Sequence, residues 1–202
     1  MRRLLLLATL LTSAVARADA QKPVDPLNRY DDTFRKYSKR FFGPTFDWQY
    51  FKAQALAESG LDSAAQSRVG ARGVMQLMPG TYALIKHNAP GLGAIENPEW
   101  NIAAGIMHER GLWYRWKDAA TEQERIRFMF GSYNAGEGPI LRARGVARAN
   151  QLDAKHWNSI ETVAPKVSGW RYRETLPYVR KIEKNHKKLM ADPRRRNAVV
   201  SR

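Results

Sequence analysis

No segment of this 202-residue chain alternates apolar and polar residues for the length of a strand, whereas several carry helix-start signals followed by apolar residues at helical spacing. That pattern predicts a mainly α-helical domain. Asn97-Pro98 opens one helix, with Asn97 as cap and Ile102, Ile106, Trp113 and Trp116 near one face. Thr121-x-x-Glu124 is a capping box opening another, which carries Ile126, Phe128, Met129 and Phe130 and ends at Gly136. An earlier helix is expected after Pro44-Thr45, with Thr45 as cap, running through Trp48, Phe51, Ala55 and Leu56 to stop near Gly60. The last long helix is expected from around Thr175-Leu176-Pro177 through Val179, Ile182 and Leu189. Residues 61–80 have no sustained period and contain Gly70, Gly73, Pro79 and Gly80, which predicts an ordered loop with short helical turns. There is no internal repeat, and the length suits a single core.

The ends of the chain read differently. Arg2 and Arg3 precede an apolar run from Leu4 to Leu11, and a small-residue tract ends in Ala18-Asp19-Ala20. This is the pattern of a secretory signal cleaved near Ala20. The run is far short of the roughly 20 residues that cross a bilayer. Residues 21–43 are polar, basic and Pro-containing before turning aromatic at Phe41 and Phe42, and are read as a linker leading onto the domain. The domain is then expected over 44–192, with 193–202 a solvated basic tail.

Composition removes several chemistries. With no cysteine there is no disulfide framework, thiolate nucleophile, thiolate zinc site or lipid-modified N-terminal Cys. An exported chain of this kind is expected to be soluble in the periplasm, with no lipid anchor. The 34 Lys and Arg against 19 Asp and Glu make it a polycation of net charge +15. Loss of residues 1–20 removes three Arg and one Asp and leaves +13. Such a charge concentrates a protein near nucleic acid, membrane surface or bacterial wall. Export and the lack of a nucleic-acid motif turn the expectation from DNA to the wall. His87, His108, His156 and His186 are scattered, and His108-Glu109 lacks a second His four residues after the first, so neither a metal nor a cofactor is expected.

Among the carboxylates, Glu58 stands out. It follows Ala53, Ala55, Leu56 and Ala57 and occupies the last turn before Gly60. Helix carbonyls at that end disfavour a second negative charge, and apolar neighbours disfavour ionisation. Both raise the pKa, as a general acid for a glycosidic oxygen requires. Ser59, Ser67, Met75 and Gln76 follow closely, and Tyr133-Asn134-Ala135-Gly136 closes a later helix. Their hydroxyl, amide and thioether groups suit a sugar's hydroxyls, acetamide and apolar face. An amide such as Gln76 or Asn134 serves equally well to satisfy loop backbone.

At these residues the sequence resembles the lytic transglycosylases with a soluble-lytic-transglycosylase (SLT) catalytic domain. Ala57-Glu58-Ser59 through Ala65-x-Ser67-x-x-Gly70-Ala71-x-Gly73-Val74-Met75-Gln76-Leu77-Met78-Pro79 is similar to the family's first signature. Asn101-Ile102-x-Ala104-Gly105, Ser132-Tyr133-Asn134-Ala135-Gly136 and Glu174-Thr175-x-x-Tyr178-Val179 resemble the next three, in family order. Leu61, Val74 and Ser132 are mild departures, and Glu137 is a less usual neighbour of the third motif. The resemblance implies a lysozyme-like single domain with a glycan-binding cleft. It also implies cleavage of the MurNAc–GlcNAc β-1,4 bond of peptidoglycan without water, leaving 1,6-anhydro-MurNAc ends. By motif position Glu58 is then the single acid/base, and Ser67, Gln76, Tyr133, Asn134, Glu174 and Tyr178 line or support the cleft. The implied partner is the peptidoglycan glycan strand. Association with an envelope secretion or wall-synthesis complex stays open.

No second carboxylate has comparable sequence support, since Asp62 lies only four residues on and Glu174 matches a supporting position. Two readings compete with transglycosylation. One is lysozyme-type hydrolysis on the same fold. The other is a non-catalytic wall-binding or secretion-associated module carried by the positive charge.

Overall fold

The computed structural model describes residues 26–192. The expected signal segment 1–20, the start of the linker and the basic tail 193–202 lie outside the described residues. Among the described residues eight α-helices follow one another: α1 Asp31–Phe42, α2 Gln49–Glu58, α3 Pro79–Asn88, α4 Pro98–Arg115, α5 Glu122–Ala135, α6 Glu137–Ala149, α7 Trp157–Val163 and α8 Tyr172–Ala191. Short 3-10 turns occur at Pro26–Asn28 and Ala164–Lys166, and no strand forms among the described residues. Only isolated bridges join Arg72 to Gln66 and Leu77.

Two expected caps are present. The Asn97 side chain accepts from Glu99 N (2.9 Å) and Trp100 N (3.3 Å), with Pro98 in the first turn. Thr121 Oγ1 accepts from Glu124 N at 3.2 Å. Glu124 does not complete the box. Its carboxylate instead holds Arg127 and the backbone N–H of Trp157, linking α5 to α7. Thr45 is not the cap of α2; that helix begins four residues later, where Asp47 Oδ1 accepts from Gln49 N at 2.9 Å. Trp48 holds the cap position without a side-chain bond, and the Asp47 carboxylate one residue before it takes over the acceptor role expected of Thr45.

The stretch read as a linker contains a full helix. α1 buries Phe34 and Tyr37 and packs on α4. Its charged residues are spaced so that one apolar stripe remains, which composition averaged over 21–43 conceals. Lys52, fully buried on α2, pairs with Asp31 and the Leu27 carbonyl and so ties the start of α1 to the core. α3 begins at the end of the Gly- and Pro-rich stretch, with Pro79 in its first turn, and runs on to Asn88.

α8 starts at Tyr172, so Pro177 lies inside it rather than at its opening. Pro177 removes only the bond to the Arg173 carbonyl, near the helix start where that cost is least. α5 is the central helix, burying Ile126, Phe128, Met129 and Phe130, and it packs against α4, α6, α7 and α8. α2 lies along α8, stitched by Lys181 Nζ to the Ala57 carbonyl (2.7 Å) and Asn185 Nδ2 to the Ala53 carbonyl (3.1 Å). Among the described residues no helix is long and apolar enough to cross a membrane.

Candidate functional site

Glu58 is the last residue of α2, and its partly buried side chain faces α8. Tyr178 Oη donates to Glu58 Oε1 at 2.6 Å. Burial pushes the carboxyl up from its ordinary 4.5 to about 7, against the Tyr178 hydrogen bond and the Lys181 charge, which both act downward. Glu174 adds a smaller upward push. Glu174 and Tyr178 are one turn apart on α8 and therefore share a face. Glu174 sits half-exposed at the rim, paired with Arg171 at 2.7 Å. Next to it a cavity of about 140 Å³ is lined by Asn134, Pro139, Trp170, Arg171, Glu174 and Thr175.

The loop after α2 is held in one shape by its own polar groups. Ser59 Oγ donates to the Val74 carbonyl (2.8 Å), joining the end of α2 to the loop. Ser67 Oγ accepts from Ala71 N at 2.9 Å and closes the turn around Gly70. Gln76, at φ 47°, donates through Nε2 to the carbonyls of Ala65 and Gly73. These three side chains, expected to meet sugar, are thus engaged in shaping the loop.

Met75 departs furthest from expectation. It is fully buried and packs on Gly105, where a Cβ would lie 2.9 Å from the Met75 side chain. Its thioether belongs to the core, not to the cleft wall. Its backbone does serve the site, because Tyr133 Oη donates to the Met75 carbonyl at 2.8 Å. Burial, with Glu58 and Glu109 near, drives the Tyr133 and Tyr178 hydroxyls well above their ordinary range, so both are neutral donors.

Four residues contribute that were not singled out as site candidates. Asn101 pins the loop to α4: its Oδ1 accepts from Met75 N (2.8 Å), and its Nδ2 donates to the Arg72 and Ile95 carbonyls. Gly73 sits directly over this amide at φ 74°, and any side chain there would collide with it. His108 faces the Tyr133 ring at 5.4 Å, and burial lowers its pKa against a smaller upward push from Glu137. Gln54 and Glu109, both fully buried, form a polar pair behind Tyr178. Glu109 is a further carboxyl close enough to Glu58 for the two to interact electrostatically, besides Asp62 and Glu174 weighed from the sequence. Its position on α4 separates it by 51 residues in sequence, and an i, i+4 reading around Glu58 does not reach it. Glu137, by contrast, is a surface charge at the start of α6, paired with Arg115 at 2.9 Å and well placed for the helix dipole.

The arrangement therefore presents one carboxyl that can hold or release a proton near neutral pH, with neutral hydroxyl donors near it and, along α8 at Glu174, a small cavity.

The transglycosylase SLT domain family model matches residues 34–157. The membrane-bound lytic murein transglycosylase F of Vibrio parahaemolyticus is 31% identical over 156 residues, covering 76% of this chain and 27% of that protein. The same enzyme of Vibrio campbellii is 30% identical over 179 residues, covering 85% of this chain and 32% of that one. The chain thus spans about a third or less of the length of these relatives. Among solved structures, the 70 kDa soluble lytic transglycosylase of Escherichia coli matches with a TM-score of 0.62 at 25% identity, over 83% of this chain and 25% of that one. An inactive Glu-to-Gln mutant of the lytic transglycosylase Slt of Pseudomonas aeruginosa matches with a TM-score of 0.63 at 22% identity, over 83% and 26%. The helical fold is the lysozyme-like one of these proteins.

Proposed function

Since the chain belongs to the transglycosylase SLT domain family, we propose that it is a peptidoglycan lytic transglycosylase in which Glu58 is the single acid/base. The observation that carries this reading is the Glu58 carboxyl at the end of α2, brought to about 7 by burial and oriented by Tyr178. A group poised there is protonated often enough to give a proton and, once deprotonated, basic enough to take one. Relatives named lytic murein transglycosylases support the substrate. The inactive Glu-to-Gln mutant of the Pseudomonas aeruginosa enzyme is consistent with one essential carboxyl.

The reaction proceeds in two steps. Glu58 protonates the glycosidic oxygen of the leaving GlcNAc as the MurNAc acetamido carbonyl attacks C1 and the C1–O bond breaks. The Glu58 carboxylate then removes the proton from the C6 hydroxyl, whose oxygen attacks C1, expels the acetamide oxygen and closes the 1,6-anhydro ring. The second nucleophile is already part of the sugar, so no positioned water is required. A two-carboxylate route needs a second carboxyl flanking the scissile bond. Glu109 is sealed behind Gln54 and Tyr178, and Glu174 is held at the rim by Arg171, so neither is offered to C1. In this reading Tyr133 and Asn134 hold the acetamide, with Asn134 lining the cavity next to Glu174, and Glu174 and Tyr178 share one face of α8.

Residues 1–20 support export to the periplasm, where the basic chain meets the carboxylates of peptidoglycan stem peptides. The test is incubation of purified sacculi with wild type and Glu58→Gln, followed by muropeptide mass analysis. Wild type releases products lighter by one water than hydrolysed ones, and Glu58→Gln releases none. Reducing MurNAc ends from the wild type would make the protein a hydrolase, and substantial activity in the variant would remove Glu58 from its role.

A further inference from the structure

The buried pair Gln54 and Glu109 stands directly behind the site, and its geometry is directional. One carboxamide nitrogen, Gln54 Nε2, donates to Glu109 Oε1 at 2.7 Å and to Tyr178 Oη at 3.2 Å. An amide nitrogen has two hydrogens, and both are used here. Tyr178 Oη, having accepted one of them, directs its own hydrogen at Glu58 Oε1, 2.6 Å away. Three helices thus supply one continuous chain of bonds: α4 through Glu109, α2 through Gln54, and α8 through Tyr178 back to the end of α2.

Glu109 matters because a primary amide can turn over. With its oxygen in the place of Nε2, Gln54 would offer Tyr178 an acceptor, and the hydroxyl hydrogen would be drawn away from Glu58. The Glu109 oxygen prevents this by accepting the second amide hydrogen. Glu109 is 0% exposed, and its other oxygen, Oε2, has no hydrogen-bond partner among the described residues. A buried charge without a counter-cation is far costlier than the neutral acid, and burial accordingly holds this carboxyl well above the usual carboxylate range. With its proton on Oε2, the neutral acid still presents the Oε1 carbonyl to Gln54. It also places no fixed negative charge beside Glu58. The titratable groups that interact with Glu109 are Glu58 on α2, Tyr178 on α8 and Tyr133 on α5, and Glu58 in turn feels Lys181 and Glu174 on α8.

We propose that Glu109 is a positioning residue. It orients the Gln54 amide, the amide orients the Tyr178 hydroxyl, and the hydroxyl occupies Glu58 Oε1, leaving Oε2 as the oxygen that carries the transferable proton. Glu109 touches neither substrate nor reacting atoms. The inference rests on the assignment of Glu58 as the acid/base.

The test compares full-length wild type, Glu109→Leu, Glu109→Gln and Glu58→Gln on solubilised peptidoglycan strands, with kcat and KM measured separately and folding checked by thermal melting. Glu109→Leu removes the acceptor and is expected to lower kcat at least tenfold with KM within twofold. Glu109→Gln restores a neutral acceptor of the same shape and is expected to recover kcat to within about threefold of wild type. A folded Glu109→Leu protein with unchanged kcat overturns the proposal, as does a Glu109→Gln protein no better than Glu109→Leu. If Glu109→Leu fails to fold, Gln54→Met breaks the same relay: a tenfold loss in kcat supports the proposal, and an unchanged kcat overturns it. Substantial activity in Glu58→Gln would overturn the acid/base assignment itself and this inference with it. An inactive Glu58→Gln beside an indifferent Glu109→Leu would overturn this inference alone.

Discussion

The hydroxyl of Tyr178 donates to the Glu58 carboxyl across 2.6 Å, joining two residues 120 positions apart in sequence. The contact exists because α8 lies along α2 and is stitched to it by Lys181 and Asn185. A hydrogen bond to the carboxylate form lowers its pKa, so Tyr178 partly offsets the burial that raises it.

Removing that bond has a definite sign. Tyr178→Phe should move the Glu58 pKa above about 7 and shift the alkaline limb of the pH–rate profile to higher pH. The rate at the optimum should fall about tenfold, because the acid loses its fixed orientation. A profile of kcat/KM from pH 5 to 9 on solubilised strands checks both effects, and an alkaline limb that stays put would contradict the hydrogen bond's role.

If Glu58 is the acid, as proposed, its protonated form is the active one in the wild type. Activity should be lost as pH rises through about 7, by close to tenfold per unit beyond it. The same pH series measures this directly, and a rate still rising at pH 9 would place the proton donor elsewhere.

Holding Glu58 against its preference for ionisation costs stability at alkaline pH. Its folded pKa of about 7 lies above the ordinary 4.5, so the unfolded chain releases the proton first as pH rises. The stability contribution is complete below pH 4.5 and is lost progressively up to about pH 7. Glu58→Gln cannot ionise, so it should match wild type near pH 4 and exceed it by about 3 kcal/mol at pH 8. Denaturant melts at the two pH values test this; equal stabilities at pH 8 would argue against a raised pKa. An inactive variant that is more stable than its parent is the signature of an active-site residue.

Asn101 anchors the loop that follows Glu58. Asn101→Ala strands the Met75 N–H and the Arg72 and Ile95 carbonyls, and should cost about 2–4 kcal/mol. Through Met75 it should also loosen Tyr133, whose hydroxyl rests on that residue's carbonyl, and reduce turnover. Thermal melting and the sacculus assay separate the two losses.

Much of the fold was legible locally. The Asn97-Pro98 and Thr121 caps are events within three residues, and side-chain chemistry alone predicts them. α1 and α3 were not legible, because a short helix, whether amphipathic in a basic stretch like α1 or following a Gly-bent loop like α3, is held by what it packs against and not by its own propensity. For the same reason Pro177 misplaced the start of α8.

The candidate site divides along the same line. By itself the sequence determined that Glu58 ends a helix in apolar surroundings, and that hydroxyl and amide groups follow it in a Gly-bent loop. Only the tertiary structure decided what each group does. It turned Met75 into the core, committed Ser59, Ser67 and Gln76 to loop backbone, and brought Tyr178 onto Glu58 with Gln54 and Glu109 behind it. Helix ends are written in neighbouring residues, whereas desolvation and hydrogen-bond direction depend on which helices pack together, and those contacts join residues far apart in the chain.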